Sequence, residues 1–168
     1  LVEVLKRKLK IVTKRYKKNK TDFEKYAFTA IASLYGIDLL LDNVVECRKR
    51  LFSIFEEKYK TLYRDSCHDN YLAGVNFVLS RNIIHGDALT LKSASLGKQP
   101  IIFSEWSLVY QDKVKRRDFT MTNLLANQPM EEPNLFSDLG DEAFIPKPCA
   151  NYPLISIYKL AKDVQYKL

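Results

Sequence analysis

The chain has 168 residues, 46% of them hydrophobic and 12% aromatic, which is enough apolar material for one ordinary core and too little length for two large ones. Lys and Arg number 27 against 20 Asp and Glu, and the net charge of +7 with a pI near 9.2 favours polyanionic partners. No apolar run approaches the ~20 residues that a membrane-spanning helix needs, so no transmembrane segment is expected.

Cys47, Cys67 and Cys149 are an odd number at long, irregular spacings. They suit neither a metal knuckle nor a disulfide framework, and a reducing cytoplasm fits them best.

In residues 1–18 the apolar positions Leu1, Leu5, Leu9, Val12 and Tyr16 recur at steps of three and four, with Lys6, Lys10, Lys14, Arg15, Lys17 and Lys18 between them. This predicts an amphipathic helix. Nine of the first twenty residues are basic and one is acidic, a face that reads first as a solvated helix surface and second as a phosphate-facing one. The chain opens on Leu1-Val2-Glu3-Val4, without Met or an apolar signal core and with the helical period already running, which predicts that sequence upstream is missing.

A second helix is expected over Asp22 to Ala32, capped by Thr21, running into a short buried strand at Leu34-Tyr35-Gly36-Ile37-Asp38-Leu39. Asp42 or Asn43 then caps a long helix with Val44, Val45, Leu51, Phe52, Phe55, Tyr59 and Leu62 on one stripe, and a further helix spans Asn70 to Leu79. The β-branched pair Ile83-Ile84 runs through His85 into Gly86-Asp87, the chemistry of a strand ending in a tight loop, and Pro100 starts a third strand at Ile101-Ile102-Phe103. This alternation predicts a parallel sheet with crossover helices, an α/β domain over residues 1–126. From Asn127 onward, prolines scattered among acids without a period predict an irregular tail, residues 127–168, packed over that domain.

In open α/β sheets ligands sit at the carboxyl ends of the strands, and Asp38 and Asp87 are expected there. A carboxylate offers two acceptor oxygens, suited to the two hydroxyls of a ribose, and an Asp ending the next strand can accept from an adenine amine. Taken singly, each is an ordinary strand-end Asp. His68 and His85 are too isolated to make a metal or nucleophile site.

Tyr35-Gly36-Ile37-Asp38 followed by Asp42-Asn43-Val44-Val45-Glu46-Cys47-Arg48, and later Gly86-Asp87-Ala88-Leu89, resemble the second and third cofactor motifs of adenine-specific DNA methyltransferases, the modification subunits of restriction-modification systems. The opening Leu1 to Leu9 is similar to the helix that follows the glycine-rich first motif of that family. Pro100-Ile101-Ile102-Phe103-Ser104-Glu105-Trp106-Ser107 and Lys115-Arg116-Arg117-Asp118-Phe119 resemble a subgroup of it, and so does the tail segment Leu135-Phe136-Ser137-Asp138-Leu139-Gly140.

The resemblance implies a Rossmann-like, S-adenosylmethionine-dependent methyltransferase fold lacking its first strand and glycine loop in this chain. It implies that Asp38 binds the ribose of S-adenosylmethionine, that Leu39 packs on the adenine face, and that Asp87 and Ala88 recognise the adenine edge. Double-stranded DNA would be the substrate, a specificity or restriction subunit the partner, and the cytoplasm the location. The family's catalytic motif is Asn or Asp, two prolines and an aromatic at the end of the fourth strand, whereas this chain has Ser104-Glu105-Trp106-Ser107 there. In that place Glu105 accepts from the target amine and Trp106 stacks on the flipped base. With equal weight, Trp106 is a core or lid aromatic and Glu105 a surface acid. Asn151-Tyr152-Pro153-Leu154 lies too far along the chain to replace the motif. Lys115, Arg116 and Arg117, with Lys113, are candidates to contact target phosphates.

The leading expectation is therefore direct methyl transfer to an adenine amine in DNA by the complete protein, with this chain a truncated form that is inactive as given and does not bind S-adenosylmethionine appreciably, since the glycine loop is half of the expected pocket. The alternative is a catalytically inactive, methyltransferase-like DNA-binding or scaffold subunit. A third reading, an unrelated basic helical module, requires the motif matches to be accidental.

Overall fold

The computed structural model describes residues 1–94, 97–125 and 146–162. Helix α1 (Val2–Tyr16) buries Leu5, Leu9 and Val12, the stripe that the sequence predicts. Helix α2 (Lys20–Ala32) starts earlier than expected. Asn19, in an extended conformation, accepts from the Asp22 amide at 3.1 Å and so caps the helix in place of Thr21.

Strand β1 (Gly36–Asp38) leads into α3 (Leu41–Tyr63). Neither Asp42 nor Asn43 caps α3. Instead the Asp38 carboxylate accepts from the Leu40 amide at 2.9 Å and from the Asn43 side chain at 3.2 Å, so the end of β1 and the start of α3 are locked together. A single turn at Arg64–Ser66 connects α3 to α4 (Asp69–Asn82), which delivers the chain to β2 (Ile83–Asp87). Strands β1 and β2 are parallel, with Gly36 opposite Ile83, Ile37 opposite Ile84 and Asp38 opposite His85. Helices α3 and α4 are the crossover that a parallel pair requires. Arg48 of α3 donates to the Ile83 carbonyl at 2.9 Å and to the Ser80 carbonyl at 3.0 Å, which fixes the helix to the start of β2.

The parallel order stops there. Asp87 accepts from the Leu89 amide and turns the chain back into β3 (Lys92–Ser93), antiparallel to β2. Among the described residues no helix separates β2 from β4 (Ile102–Tyr110), which pairs antiparallel with β5 (Lys113–Thr120) in a second sheet. The expectation of a third parallel strand at Ile101 to Phe103 is thus corrected: the Asp87 turn uses the connection that a crossover helix would need. Gly86 lets Ile101 pack in, since a Cβ there would lie 2.8 Å from the Ile101 Cδ1 atom.

After α5 (Met121–Leu125), residues 126–145 and 163–168 lie outside the described residues, and with them most of the expected tail, including Leu135 to Gly140. Residues 146–162 return to the second sheet as β6 (Ala150–Asn151) and β7 (Ile155–Ser156), both antiparallel to β5, where the sequence predicts no strand. Ile157 and Leu160 then enter the core against Gly74 of α4. The architecture is a mixed α/β fold with four main helices packed against two small sheets around one cluster that includes Phe23, Phe28, Phe55, Tyr59, Tyr71 and Trp106. No helix among the described residues is long and apolar enough to cross a membrane.

Candidate functional site

The structure brings Asp38, Leu39, Asp87 and Ala88 together at the carboxyl ends of the paired strands β1 and β2. Asp38 is opposite His85, so Asp87 lies two residues further along the adjacent strand, and ladder geometry separates the two Cα atoms by ~8 Å. Asp87 is fixed by the Leu89 amide at 2.8 Å and the Thr90 amide at 3.4 Å. The hydrogen bond from Leu89, then those from Thr90, hold its carboxyl below the usual range. Leu39, Leu40, Leu41 and Leu89 are exposed around these acids. His85, to which the sequence gives no role, joins the two strand ends through its Nε2 atom, 3.0 Å from the Leu39 carbonyl.

The second group of candidates does not assemble as expected. Ser104 to Ser107 lie in the middle of β4, which runs on to Tyr110, and not at a strand end. Glu105 and Trp106 are neighbours on that strand, so their side chains point to opposite faces of the sheet and do not converge on one base. Trp106 is 8% exposed; it packs edge-on against Phe28 and Phe77 and donates from Nε1 to Asn82 at 3.1 Å. It is a core aromatic in this arrangement, with no face open for stacking. Glu105 forms a two-pronged ion pair with Arg117 at 2.7 and 3.0 Å, its partner across the strands.

Arg116 is likewise engaged. It pairs with buried Asp118 at 2.7 and 2.8 Å, and its guanidinium lies 4.1 Å from the centre of the Tyr152 ring and 5.5 Å from that of Trp106. Burial pushes the Asp118 carboxyl up, but the hydrogen bonds from Arg116 and Ser104 outweigh it and hold the group below its ordinary range. Of the four expected phosphate contacts, Arg116 is therefore a half-buried structural cation and Arg117 is shared with Glu105, while Lys113 and Lys115 have no ion pair among the described residues.

Beside the Glu105–Arg117 pair is an apolar cavity of about 570 Å³, lined by Tyr35, Phe103, Phe119, Met121 and their neighbours. Tyr35 donates to the Ser104 carbonyl at 3.0 Å, so the segment entering β1 is tied to β4. Burial, followed by the Glu105 charge, raises its phenol above the ordinary value.

The most buried acid among the described residues is not legible in the sequence as a site at all. Glu24, 1% exposed, accepts from Tyr59, from Tyr158 at 2.6 Å, and pairs with Lys20 at 3.2 Å, while Tyr71 donates to its backbone carbonyl at 2.7 Å. Its signal is position: Glu24 stands three and four residues before Ala27 and Phe28, on the apolar stripe of α2. Every oxygen of this carboxylate is satisfied within the protein, so the cluster fastens helices together and offers nothing to a ligand. Among the described residues no group of His, Cys, Asp and Glu has the geometry to hold a metal, and the three cysteines are free. No protein-family model, no curated protein and no solved structure matches the chain, so its own motifs and geometry carry the functional reading.

Proposed function

We propose that this chain is the nucleoside-recognising part of an S-adenosylmethionine-dependent DNA adenine methyltransferase of the restriction-modification kind. The observation that carries the reading is the pair of acids, Asp38 and Asp87, at the ends of two parallel strands held in register, on the edge where α/β sheets take ligands. The groups suit a nucleoside: the Asp38 carboxylate, half-buried and with lone pairs left beside its bonds from Leu40 and Asn43, to accept from ribose hydroxyls, Asp87 and the Ala88 backbone to meet the adenine edge, and exposed Leu39 to cover the ring. When bound, S-adenosylmethionine supplies an electrophilic methyl group. The chain's own part is to hold the nucleoside and exclude water from its adenine face. Double-stranded DNA is the proposed substrate, a specificity or restriction subunit the proposed partner, and the cytoplasm the proposed location.

A second reading, the catalytically inactive scaffold or DNA-binding subunit, is favoured by one specific observation. Trp106 is buried and Glu105 is paired with Arg117, so β4 offers a flipped adenine neither a stacking face nor an unpaired acceptor. Methylation of adenine-containing duplex DNA by the full-length protein, with cofactor and DNA binding followed in parallel at fixed salt, separates the two. Methyl transfer supports the first. Cofactor and DNA binding without transfer supports the second, and absence of cofactor binding removes the nucleoside assignment from both.

A further inference from the structure

Helix α1 and helix α3 enclose a groove of about 590 Å³ lined by Lys6, Lys10, Lys14 and Lys17 from the first and Lys58 from the second, over Leu9 and Ile54. No acid lines it. On the same two helices Glu3 pairs with Arg7 at 3.2 Å and Glu56 with Lys60 at 2.8 Å, and Glu57, next to Lys58 in sequence, stays outside the lining. None of the five lysines has an ion pair or side-chain hydrogen bond among the described residues. Five like charges held together with no counter-ion among the described residues repel one another, a cost that an external polyanion removes. The groove also holds a buried hydroxyl, Thr13 Oγ1, that has no hydrogen-bond partner.

We infer that this groove docks the phosphate backbone of duplex DNA. The α1 lysines recur at intervals of four, four and three, so from Lys6 to Lys17 the charge follows one helix face for ~16 Å, a span over which a duplex presents about ten phosphates. Charge complementarity along a line, with aliphatic stems lying on Leu9 and Ile54, suits a rod-like polyanion. An anionic membrane suits it less. The exposed apolar residues of α1, Val4 and Ile11, centre about 100° round the helix from the lysine line, and only Ile11, three residues before Lys14, reaches its margin, so they form no apolar face in line with the lysines for insertion. The inference is independent of the strand-end acids, because it requires no cofactor.

The test is a titration of the full chain with a 20-base-pair duplex of mixed sequence, measured from low to physiological salt. Binding should weaken steeply with salt. In the triple variant Lys10→Gln, Lys14→Gln, Lys17→Gln, the slope of log affinity against log salt should shrink by about 3, one unit for each phosphate no longer neutralised, and affinity at physiological salt should fall by roughly tenfold or more. A control variant, Lys92→Gln, Lys98→Gln, Lys159→Gln, has the same net charge and changes exposed lysines elsewhere, so it should retain most of the binding. Absence of duplex binding, an equal loss in both variants, or a preference of the groove for polyglutamate or for phosphatidylserine vesicles over DNA overturns the assignment. Cofactor titrations of the same variants in the full-length protein report separately on the nucleoside reading, which these lysine substitutions should not touch.

Discussion

The phenol of Tyr158 donates to the buried carboxylate of Glu24 at 2.6 Å, joining residues 134 positions apart. The bond ties the last described stretch of chain to α2, at a point where Tyr59 of α3 and Tyr71 of α4 also converge. A hydrogen bond to a buried charge is worth more than a neutral one, because its loss leaves the charge short of a donor. Tyr158→Phe should therefore cost about 1.5–3 kcal/mol of stability by urea denaturation. A neutral result would mean that Tyr59 and Lys20 alone satisfy the carboxylate.

The same cluster makes the fold sensitive to alkali. Burial, reinforced by Glu24, raises the phenols of Tyr59, Tyr71 and Tyr158 above their ordinary value. A group whose folded pKa is raised keeps its proton after the unfolded chain has lost it, so its contribution is complete below about pH 10 and declines as pH rises further. The urea midpoint should fall above pH 10, and these three of the ten tyrosines should ionise only as the helices unfold. Tyrosinate absorbance and far-UV circular dichroism check this together; full ionisation of all ten with the helical signal intact contradicts it.

Gly74 tests the docking of residues 146–162. A Cβ at that position would lie 2.6 Å from the backbone carbonyl oxygen of Ile157, an atom that no side-chain rotation can move aside. Gly74→Ala should cost about 1–3 kcal/mol, against the small gain expected of the same change at a free helix position. A more stable variant would show that Ile157 does not rest there.

Trp106, the only tryptophan, is expected to act through stability alone. Trp106→Phe leaves Asn82 Oδ1 in the interior without its donor, an expected cost of about 1–3 kcal/mol. Duplex affinity at fixed salt should not change. Weaker DNA binding at unchanged stability would return the indole to a binding surface.

The helices are legible in the sequence because each carries an apolar stripe with helical spacing, as Leu5, Leu9 and Val12 do in α1 and Leu51, Phe55 and Tyr59 do in α3. Strands β1 and β2 are legible from β-branched residues that end in an acid. The β4–β5 hairpin is not, because its turn has no glycine: Gln111 adopts the left-handed conformation, with φ 49°, and Lys115-Arg116-Arg117 reads as a solvated charge run. What makes that run a strand is long-range, the pairing of Arg116 with Asp118 under Tyr152, a residue far along the chain. Strands β6 and β7 have two residues each, too few for any period to show. Placement and motif bring out the strand-end acids, whereas they misplace Glu105 and Trp106 together, since a single long strand separates those side chains onto opposite faces.

The central claim is that Asp38, Leu39, Asp87 and Ala88 form one nucleoside-binding edge, and it is tested most directly by titrating the protein, extended upstream by the glycine-rich loop that the resemblance implies, with S-adenosylmethionine while following its backbone amide resonances. The account predicts shifts concentrated at residues 38–40 and 87–89, saturating with a single affinity, and weakened about 5- to 150-fold in Asp38→Ala, the equivalent of 1–3 kcal/mol for hydroxyls left without an acceptor. Shifts that map instead to the cavity beside Tyr35 and Phe103, or no shifts at the strand ends up to millimolar cofactor, would contradict it.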